Sequence, residues 1–162
     1  MIRQELAPHV RNWMFAGPYR MTGRGEELHN EAFPPETERV DVPWQRFTYN
    51  YGTRIHQFPG HTEVDLCTGY LKTTLVSPSA REVRLEMTSD DSIKARLNGK
   101  LIHDNPSRRS LGEWDRVKVP LQKGRNELLL KISNHEGKWG LGCRVLTPDG
   151  QPVEGLKVIA EE

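Results

Sequence analysis

The segment SDDSIKARLNGKLIHDN, residues 89–105, predicts a β-hairpin. In its first half the apolar side chains of Ile93, Ala95 and Leu97 alternate with polar ones, which is the period of a strand with one buried face. Asn98-Gly99 follows, and this dipeptide favours the tight turn in which both central residues have positive φ. We therefore expect two antiparallel strands that are joined at Asn98-Gly99.

The same period-two pattern recurs along the chain, with turn sequences between the segments. KGRN at residues 123–126 and PDGQP at 148–152 are typical of turns. Helical periodicity is confined to GEELHNEAF, residues 25–33. Closely spaced strands without intervening helices predict an all-β fold, an antiparallel sandwich or barrel. The side chains that we expect on buried strand faces are Val83, Leu85 and Met87, then Val117, Val119 and Leu121, and then Leu128, Leu130 and Ile132.

The composition is typical of one folded, soluble and turn-rich domain. The chain has 162 residues, of which 28% are charged and 35% hydrophobic, with 14 glycines and 11 prolines. We expect a single domain over residues 1–162, in which residues 1–12 are a possible linker. Residues 20–60 are polar and contain a Pro-Pro pair, so we predict a long loop that wraps the domain.

Charge and hydropathy argue against two classes of partner. The formal net charge is +1 and no basic block occurs, so nucleic acid is not an expected partner. No apolar run approaches the roughly 20 residues that a membrane span requires, so a membrane is not expected either. The first residues, MIRQELAPHVRNW, lack the apolar core of a secretory signal.

The two cysteines are predicted to be buried thiols. Cys67 shares a strand face with Leu71, and Cys143 shares one with Leu141 and Val145. A buried cysteine behaves as a small apolar residue. The alternative, a disulfide bond, depends on a Cα separation that spacing in the sequence does not give.

Six segments of the chain, in order, resemble the jelly-roll, galactose-binding-like accessory modules of bacterial glycoside hydrolases and polysaccharide lyases. The resemblance implies a jelly-roll β-sandwich, without catalytic activity, that binds an oligo- or polysaccharide or supports an attached catalytic domain. It also implies a secreted or extracytoplasmic parent protein. The segments are WMFAGPYR (13–20), EVDL (63–66), YLKTTLVSP (70–78), SDDSIKARLNGKLI (89–102), LQKGRNELLLKI (121–132) and GKWGLGCRVLTPDGQPVEGLKV (137–158).

The segment with two consecutive aspartates also looks like the acidic strand of protective-antigen-type lectin domains. In those domains the two aspartates hold a calcium ion that grips sugar hydroxyls. The resemblance implies calcium as a candidate cofactor, with Asp90 and Asp91 as its ligands. Ser92 stands where those domains usually carry glycine.

The residues themselves leave three interpretations of the acidic pair open. Asp90 and Asp91 either cap backbone N–H groups in a turn before the strand, contact a sugar directly, or bind calcium. Catalysis is not expected, because neighbours on a strand point to opposite faces, whereas glycoside hydrolysis needs two carboxyl groups across one bond. The motifs of nucleophilic hydrolases, P-loop proteins and zinc proteases are also absent.

Aromatic and polar side chains near the acidic pair complete a candidate glycan site. Trp114 has hydrophilic flanks and is the first candidate for stacking on a sugar ring, followed by Trp44. An arginine fork suits a carboxylate, a sulfate or vicinal hydroxyls. Trp13 and Trp139 are expected in the core, and Arg108 in a solvated loop. The candidate carbohydrate-binding residues are Asp90, Asp91, Asn105, Arg109, Trp114 and Trp44.

Two functional hypotheses follow. The first is a non-catalytic carbohydrate-binding module that targets an attached enzyme to a glycan. The second is an accessory β-sandwich that packs between domains and has no glycan affinity of its own.

Overall fold

The structure, a computed structural model, describes residues 9–20, 28–37, 41–49, 54–56, 58–59 and 65–161. The first eight residues of the possible linker over 1–12 lie outside these ranges. None of the described helices is both long and apolar enough to cross a membrane.

Two antiparallel sheets pack against each other, which confirms the predicted β-sandwich. The elements are β1 Asn12–Arg20, α1 Pro34–Thr37, β2 Gln45–Thr48, β3 Cys67–Ser77, β4 Arg81–Asp90, β5 Ser92–Leu97, β6 Lys100–Asn105, β7 Asp115–Leu121, β8 Gly124–Asn134, β9 Gly140–Leu146 and β10 Lys157–Ile159. The larger sheet has the order β2-β1-β3-β8-β5-β6, and β10 pairs with the end of β3. The smaller sheet has the order β7-β4-β9.

The hairpin that the sequence predicted is present. β5 and β6 are antiparallel partners, and Asn98 (φ 51°) and Gly99 (φ 82°) have the positive φ values of the expected turn. Ile93, Ala95 and Leu97 face the core with at most 5% of their surface exposed. β5 also pairs with β8, a central strand of the larger sheet. The apolar side of the hairpin therefore continues the core-facing side of that sheet.

The core between the sheets is aromatic at its centre. Trp13 and Trp139 are almost completely buried, as predicted. Phe58 packs edge-on against Trp139 with ring centroids 4.6 Å apart, and Phe15 lies 5.5 Å from Phe58. Each of these rings removes a large apolar area from water, so they contribute strongly to stability.

Gly69 is expected to be essential to this packing. A Cβ atom there would lie 2.6 Å from the Trp139 ring and 2.8 Å from the Phe15 ring. We therefore expect Gly69→Ala to lower the free energy of unfolding by about 1–3 kcal/mol through overpacking. Gly112→Ala is the control, since nothing lies within 4 Å of its Cβ position. Urea unfolding of both variants measures the difference, and equal stabilities would contradict the packing.

Both cysteines are buried among core side chains and form no disulfide, as predicted. Cys67 and Cys143 are at most 2% exposed. Burial raises the pKa of each thiol to about 12, so both thiols stay protonated at neutral pH.

Part of the predicted wrapping loop covers the outer face of the larger sheet. On that face, Nζ of Lys131 lies 2.8 Å from Oε2 of Glu36, and Nη1 of Arg96 lies 2.9 Å from the other carboxylate oxygen. Phe33 and Leu28 are buried beside this ion-pair cluster. Gln45–Thr48 departs from the prediction, because it forms β2 and pairs with β1. This four-residue strand has one half-buried side chain, Phe47, so its alternation is too short to stand out in the sequence.

The chain immediately before β1 also packs into the fold. The backbone of His9 forms an isolated antiparallel β-bridge with Arg144 of β9, and the Val10 N–H donates to the Cys143 carbonyl at 2.8 Å. Val10 is 5% exposed. These contacts extend the smaller sheet beyond β9.

Candidate functional site

A cavity of about 550 Å³ opens where β4 passes into β5. Its walls come from the β6–β7 loop, from the β8–β9 loop and from the segment around His56. The acidic pair lies among these walls. The lining residues are His56, Asp90, Asp91, Arg108, Arg109, Ser110, Leu111, His135, Glu136, Lys138 and Trp139.

The two carboxylates lie on the same side, so the expectation that they point to opposite faces is wrong. β4 ends at Asp90, Asp91 forms a bend, and β5 begins at Ser92. The alternation of side chains along a strand therefore stops at Asp90. The peptide bond between the two aspartates is cis, and both side chains line the cavity.

Asp91 holds the two loops that form the cavity. Its Oδ1 accepts the Arg109 N–H at 3.0 Å, and its Oδ2 accepts the His135 N–H at 2.9 Å. Its own N–H donates to the Ser133 carbonyl at 2.9 Å. The carboxylate thus caps backbone N–H groups, as the first interpretation of the pair predicted, but these groups belong to distant loops and not to an adjacent turn.

Asp90 is the carboxyl group of the pair that does not anchor the two loops, and its side chain forms a hydrogen bond with Asp91. Its pKa is raised to about 7, first by burial and then by the charge of Asp91 and this hydrogen bond, while Lys138 opposes the rise. The protonated form of Asp90 therefore persists to a higher pH than in an ordinary aspartate. A protonated carboxyl group donates a hydrogen bond and a carboxylate accepts one, and a sugar hydroxyl can pair with either form because it both donates and accepts.

Arg109 supports the cavity wall through a bidentate ion pair. Its Nη1 and Nη2 donate to the two oxygens of Asp115 at 2.8 and 2.7 Å, and its Nε donates to the Ser89 carbonyl at 3.2 Å. Burial alone would raise the pKa of Asp115, but hydrogen bonds from Arg109 and His103 outweigh it and lower the pKa. The guanidinium group is therefore occupied by the protein, although Arg109 lines the cavity as predicted.

Asn105 belongs to the same support and does not line the cavity. Its amide donates to both oxygens of Asp115 at 3.3 Å, and its Oδ1 accepts the Ser107 N–H at 3.1 Å. The prediction that Asn105 converges with the acidic pair on one ligand is wrong, because Asp115 holds the Asn105 amide behind Arg109.

The two predicted tryptophan platforms lie elsewhere. Trp114 lies on the outer face of the smaller sheet, against Arg144, whose guanidinium carbon is 4.0 Å from the ring centroid. Gly142 makes room for the indole, since a Cβ atom there would lie 2.8 Å from it. Trp44 lies on the outer face of the larger sheet, with the Lys72 ammonium 4.5 Å from its ring. Hydrophilic flanks correctly indicated partial exposure, but the sheets place neither ring in the cavity.

Several cavity residues carried no strong signal in the sequence. Arg108 was expected in a solvated loop, and His56, Glu136 and Lys138 were not among the candidate site residues. The missing information was the strand register, in which Asp90 pairs with Gly140 and so brings the β8–β9 loop beside the acidic pair.

The acidic pair alone does not complete a calcium site. Calcium takes roughly six to eight oxygen ligands, whereas two carboxylates offer fewer, and both Asp91 oxygens also accept backbone N–H groups. Over the part of the chain that the structure describes, no three His, Cys, Asp or Glu side chains are grouped as metal ligands.

Comparison with known proteins shows a shared fold at low sequence identity. No protein-family model and no curated protein matches the chain. The PA14 domain of the MpAFP antifreeze protein is similar, with a TM-score of 0.52 and 10% identity over 97% of this chain and 93% of that one. The A domain of Epithelial Adhesin 9 from Candida glabrata, solved with Galβ1-3GlcNAc, has a TM-score of 0.51 and 9% identity over 93% and 88%.

A β-glucosidase from Kluyveromyces marxianus, solved with glucose, is also similar, with a TM-score of 0.53 and 15% identity. The match covers 84% of this chain but only 16% of the enzyme. The similarity thus extends over nearly the whole of the two solved domains but over only a small part of the β-glucosidase.

Proposed function

We propose that this chain is a carbohydrate-binding module whose sugar site is the cavity above Asp90. The observation that carries the proposal is a carboxyl group with a raised pKa on the wall of an open cavity of about 550 Å³ that has both polar and apolar lining residues. Small-ligand sites commonly measure about 300–1,000 Å³, so one or two sugar rings fit.

The lining residues offer the mixture of groups that sugars need. Asp90 exchanges hydrogen bonds with ring hydroxyls, and Arg108, Ser110 and Lys138 supply further donors around it. Leu111 offers an apolar surface to the C–H face of a ring. Trp139 is 1% exposed, so it closes the cavity from the core side and does not act as a stacking platform.

We propose direct contact between the sugar and Asp90 as the mode of binding. The test is a glycan array covering plant, algal and bacterial glycans, run with calcium and with a chelator. We expect the same glycans to bind in both conditions, because the acidic pair does not provide a calcium shell from its side chains. Loss of all binding on chelation would contradict direct contact, and silence across the array would contradict glycan binding itself.

Asp90→Asn is expected to abolish this binding without lowering stability. The folded-state pKa is raised from 3.8 to about 7, so ionisation of Asp90 disfavours the folded state. Relative to the variant, the wild type should therefore lose stability as the pH rises from 3.8 to about 7, with no further loss above. Thermal unfolding between pH 4 and pH 8 checks the sign, and a wild type that gains stability over this range would contradict it.

The proposed module acts without catalysis and targets an attached enzyme in a secreted or extracytoplasmic protein. Asp91 is committed to two backbone N–H groups, so the acidic pair itself does not supply the two free carboxyl groups that glycoside hydrolysis uses. The glucose complex of the β-glucosidase and the disaccharide complex of the adhesin domain support a link between this fold and sugars.

The second candidate is an accessory sandwich that docks between domains. The observation that favours it is the position of Trp114 and Trp44, since neither ring lines the cavity. Under this alternative the array stays silent, and Trp114→Ala weakens docking to a neighbouring domain. Under the leading proposal, Trp114→Ala leaves binding in the cavity unchanged.

A further inference from the structure

The outer face of the smaller sheet carries three arginines around one buried carboxylate. Arg144 donates from Nε to Glu86 at 2.6 Å, and the Nε atoms of Arg84 and Arg116 lie 2.9 and 3.1 Å from the other Glu86 oxygen. Glu86 is 1% exposed because the guanidinium groups cover it. We call Arg84, Arg116, Arg144 and Glu86 the arginine face.

The strand register creates this cluster. Glu86 lies in the central strand, directly opposite Arg116 on one side and Arg144 on the other. Arg84 is two residues earlier on the same strand and so shares its face. Lys118 is opposite Arg84, and Glu82 is the other carboxylate of this face. The four cations and two carboxylates around Glu86 leave a local excess of two positive charges, and Asp90 lies beyond them at the end of β4.

Arg144 is held by its Nε hydrogen bond to Glu86, and Arg116 lies at ion-pair distance from the same carboxylate, while the outer ends of both remain available. Within the described residues, the terminal guanidinium nitrogens of Arg116 and Arg144 have no hydrogen-bonding partner, and the Arg116 side chain is 66% exposed. Arg84 is less available, since its Nη1 donates to the Pro148 carbonyl at 3.4 Å. A guanidinium that is already held through Nε loses less conformational freedom when it binds a carboxylate or sulfate.

An aromatic side chain borders the arginine face. The Trp114 ring is half-buried, and its contact with Arg144 fixes that guanidinium group from a second direction. His9 lies beside the ring, with centroids 6.0 Å apart. Burial, followed by the charges of Arg144, Arg11 and Arg54, lowers the pKa of His9 to about 4 although Glu86 opposes the shift, which reflects the positive potential at this edge.

We propose that the arginine face binds the sulfate or carboxylate groups of an acidic polysaccharide, at a site separate from the cavity. Arg116 and Arg144 lie on strands that flank β4, about 10 Å apart across the sheet, which suits successive charges of a polymer better than one small anion. The half-buried indole offers an apolar edge to a sugar ring beside them. Four residues of extended chain, about 13 Å, separate Glu86 from Asp90.

The experiment is affinity electrophoresis of the whole chain in gels that contain dextran sulfate, polygalacturonate or neutral dextran. We expect retardation by the two acidic polymers and none by dextran. The double variant R116Q/R144Q should weaken the dextran sulfate interaction by about tenfold or more, the equivalent of one charge-assisted contact. R116Q alone, which changes an exposed side chain, should show a smaller loss in the same direction.

The matched control is K123Q/K157Q, which removes the same charge from two exposed lysines, one in the turn before β8 and one in β10 of the larger sheet. It should change the interaction by less than about twofold. D90N should not change it, so failure of the cavity proposal and failure of this one are distinguishable. Equal weakening by the two double variants, or no retardation of the wild type by either acidic polymer, would overturn the proposal.

Discussion

Replacing Arg109 with methionine is expected to lower the free energy of unfolding by about 3 kcal/mol and to abolish binding in the cavity. The side chains of Arg109 and Asp115 are only 11% and 14% exposed, so the variant leaves a largely buried carboxylate without its main partner. It also releases the β6–β7 loop from Ser89, to which the guanidinium donates through Nε and Nη2. Chemical denaturation at pH 7 measures the loss.

The effect of Arg109→Met should depend on pH. Because the folded state lowers the pKa of Asp115, its contribution to stability is present above the ordinary value of 3.8 and is lost as the pH falls through the lowered pKa. The difference between wild type and variant should therefore shrink in acid. Arg108→Met is the control, since Arg108 is exposed and its replacement should change stability by less than about 0.5 kcal/mol. Equal losses for the two variants would contradict the role of the ion pair.

Asp91→Asn is expected to lower the free energy of unfolding by about 2 kcal/mol, because hydrogen bonds to a charged group are worth about 1.5–3 kcal/mol each. An asparagine has one carbonyl oxygen, so it accepts from either the Arg109 or the His135 N–H and presents its own amide to the other. The two cavity loops then lose their common anchor. Hydrogen exchange should show faster opening of the Arg109 and His135 amides.

The neighbouring Asp90→Asn is the matched control for this variant. It makes the same chemical change one residue earlier, at a carboxyl group whose ionisation the fold disfavours. At pH 8 we expect it to be at least as stable as the wild type. The assignment of separate roles to the two aspartates would be wrong if both variants were destabilised equally.

The sandwich was predictable because its strands obey simple rules. Ile93, Ala95 and Leu97 alternate cleanly, and Asn98-Gly99 fixes the turn, so the inward face and the turn follow from the sequence. The register shift between Ala95 and Arg96 carries no such signal. β2 was missed because four residues with one half-buried side chain give almost no periodic signal. Its position depends on pairing with β1, which is a tertiary contact.

The site was less predictable because it is built where periodicity ends. The opposite-face rule failed at Asp90-Asp91, since the strand ends between them. Trp114 looked like a platform from its hydrophilic flanks, but the space that Gly142 leaves draws it onto the outer face of the sheet. Arg109 was correctly placed near the acidic pair. Its two hydrogen bonds to the Asp115 carboxylate depend on the conformation of the β6–β7 loop, which the sequence does not give.

The central claim is that Asp90 contacts a sugar directly in the cavity. Its most direct test is isothermal titration of the best glycan from the array into wild type and Asp90→Asn, at pH 7 with a chelator present. The account predicts measurable binding by the wild type and none by the variant, whose fold remains intact. Equal affinity for the two proteins would contradict the claim.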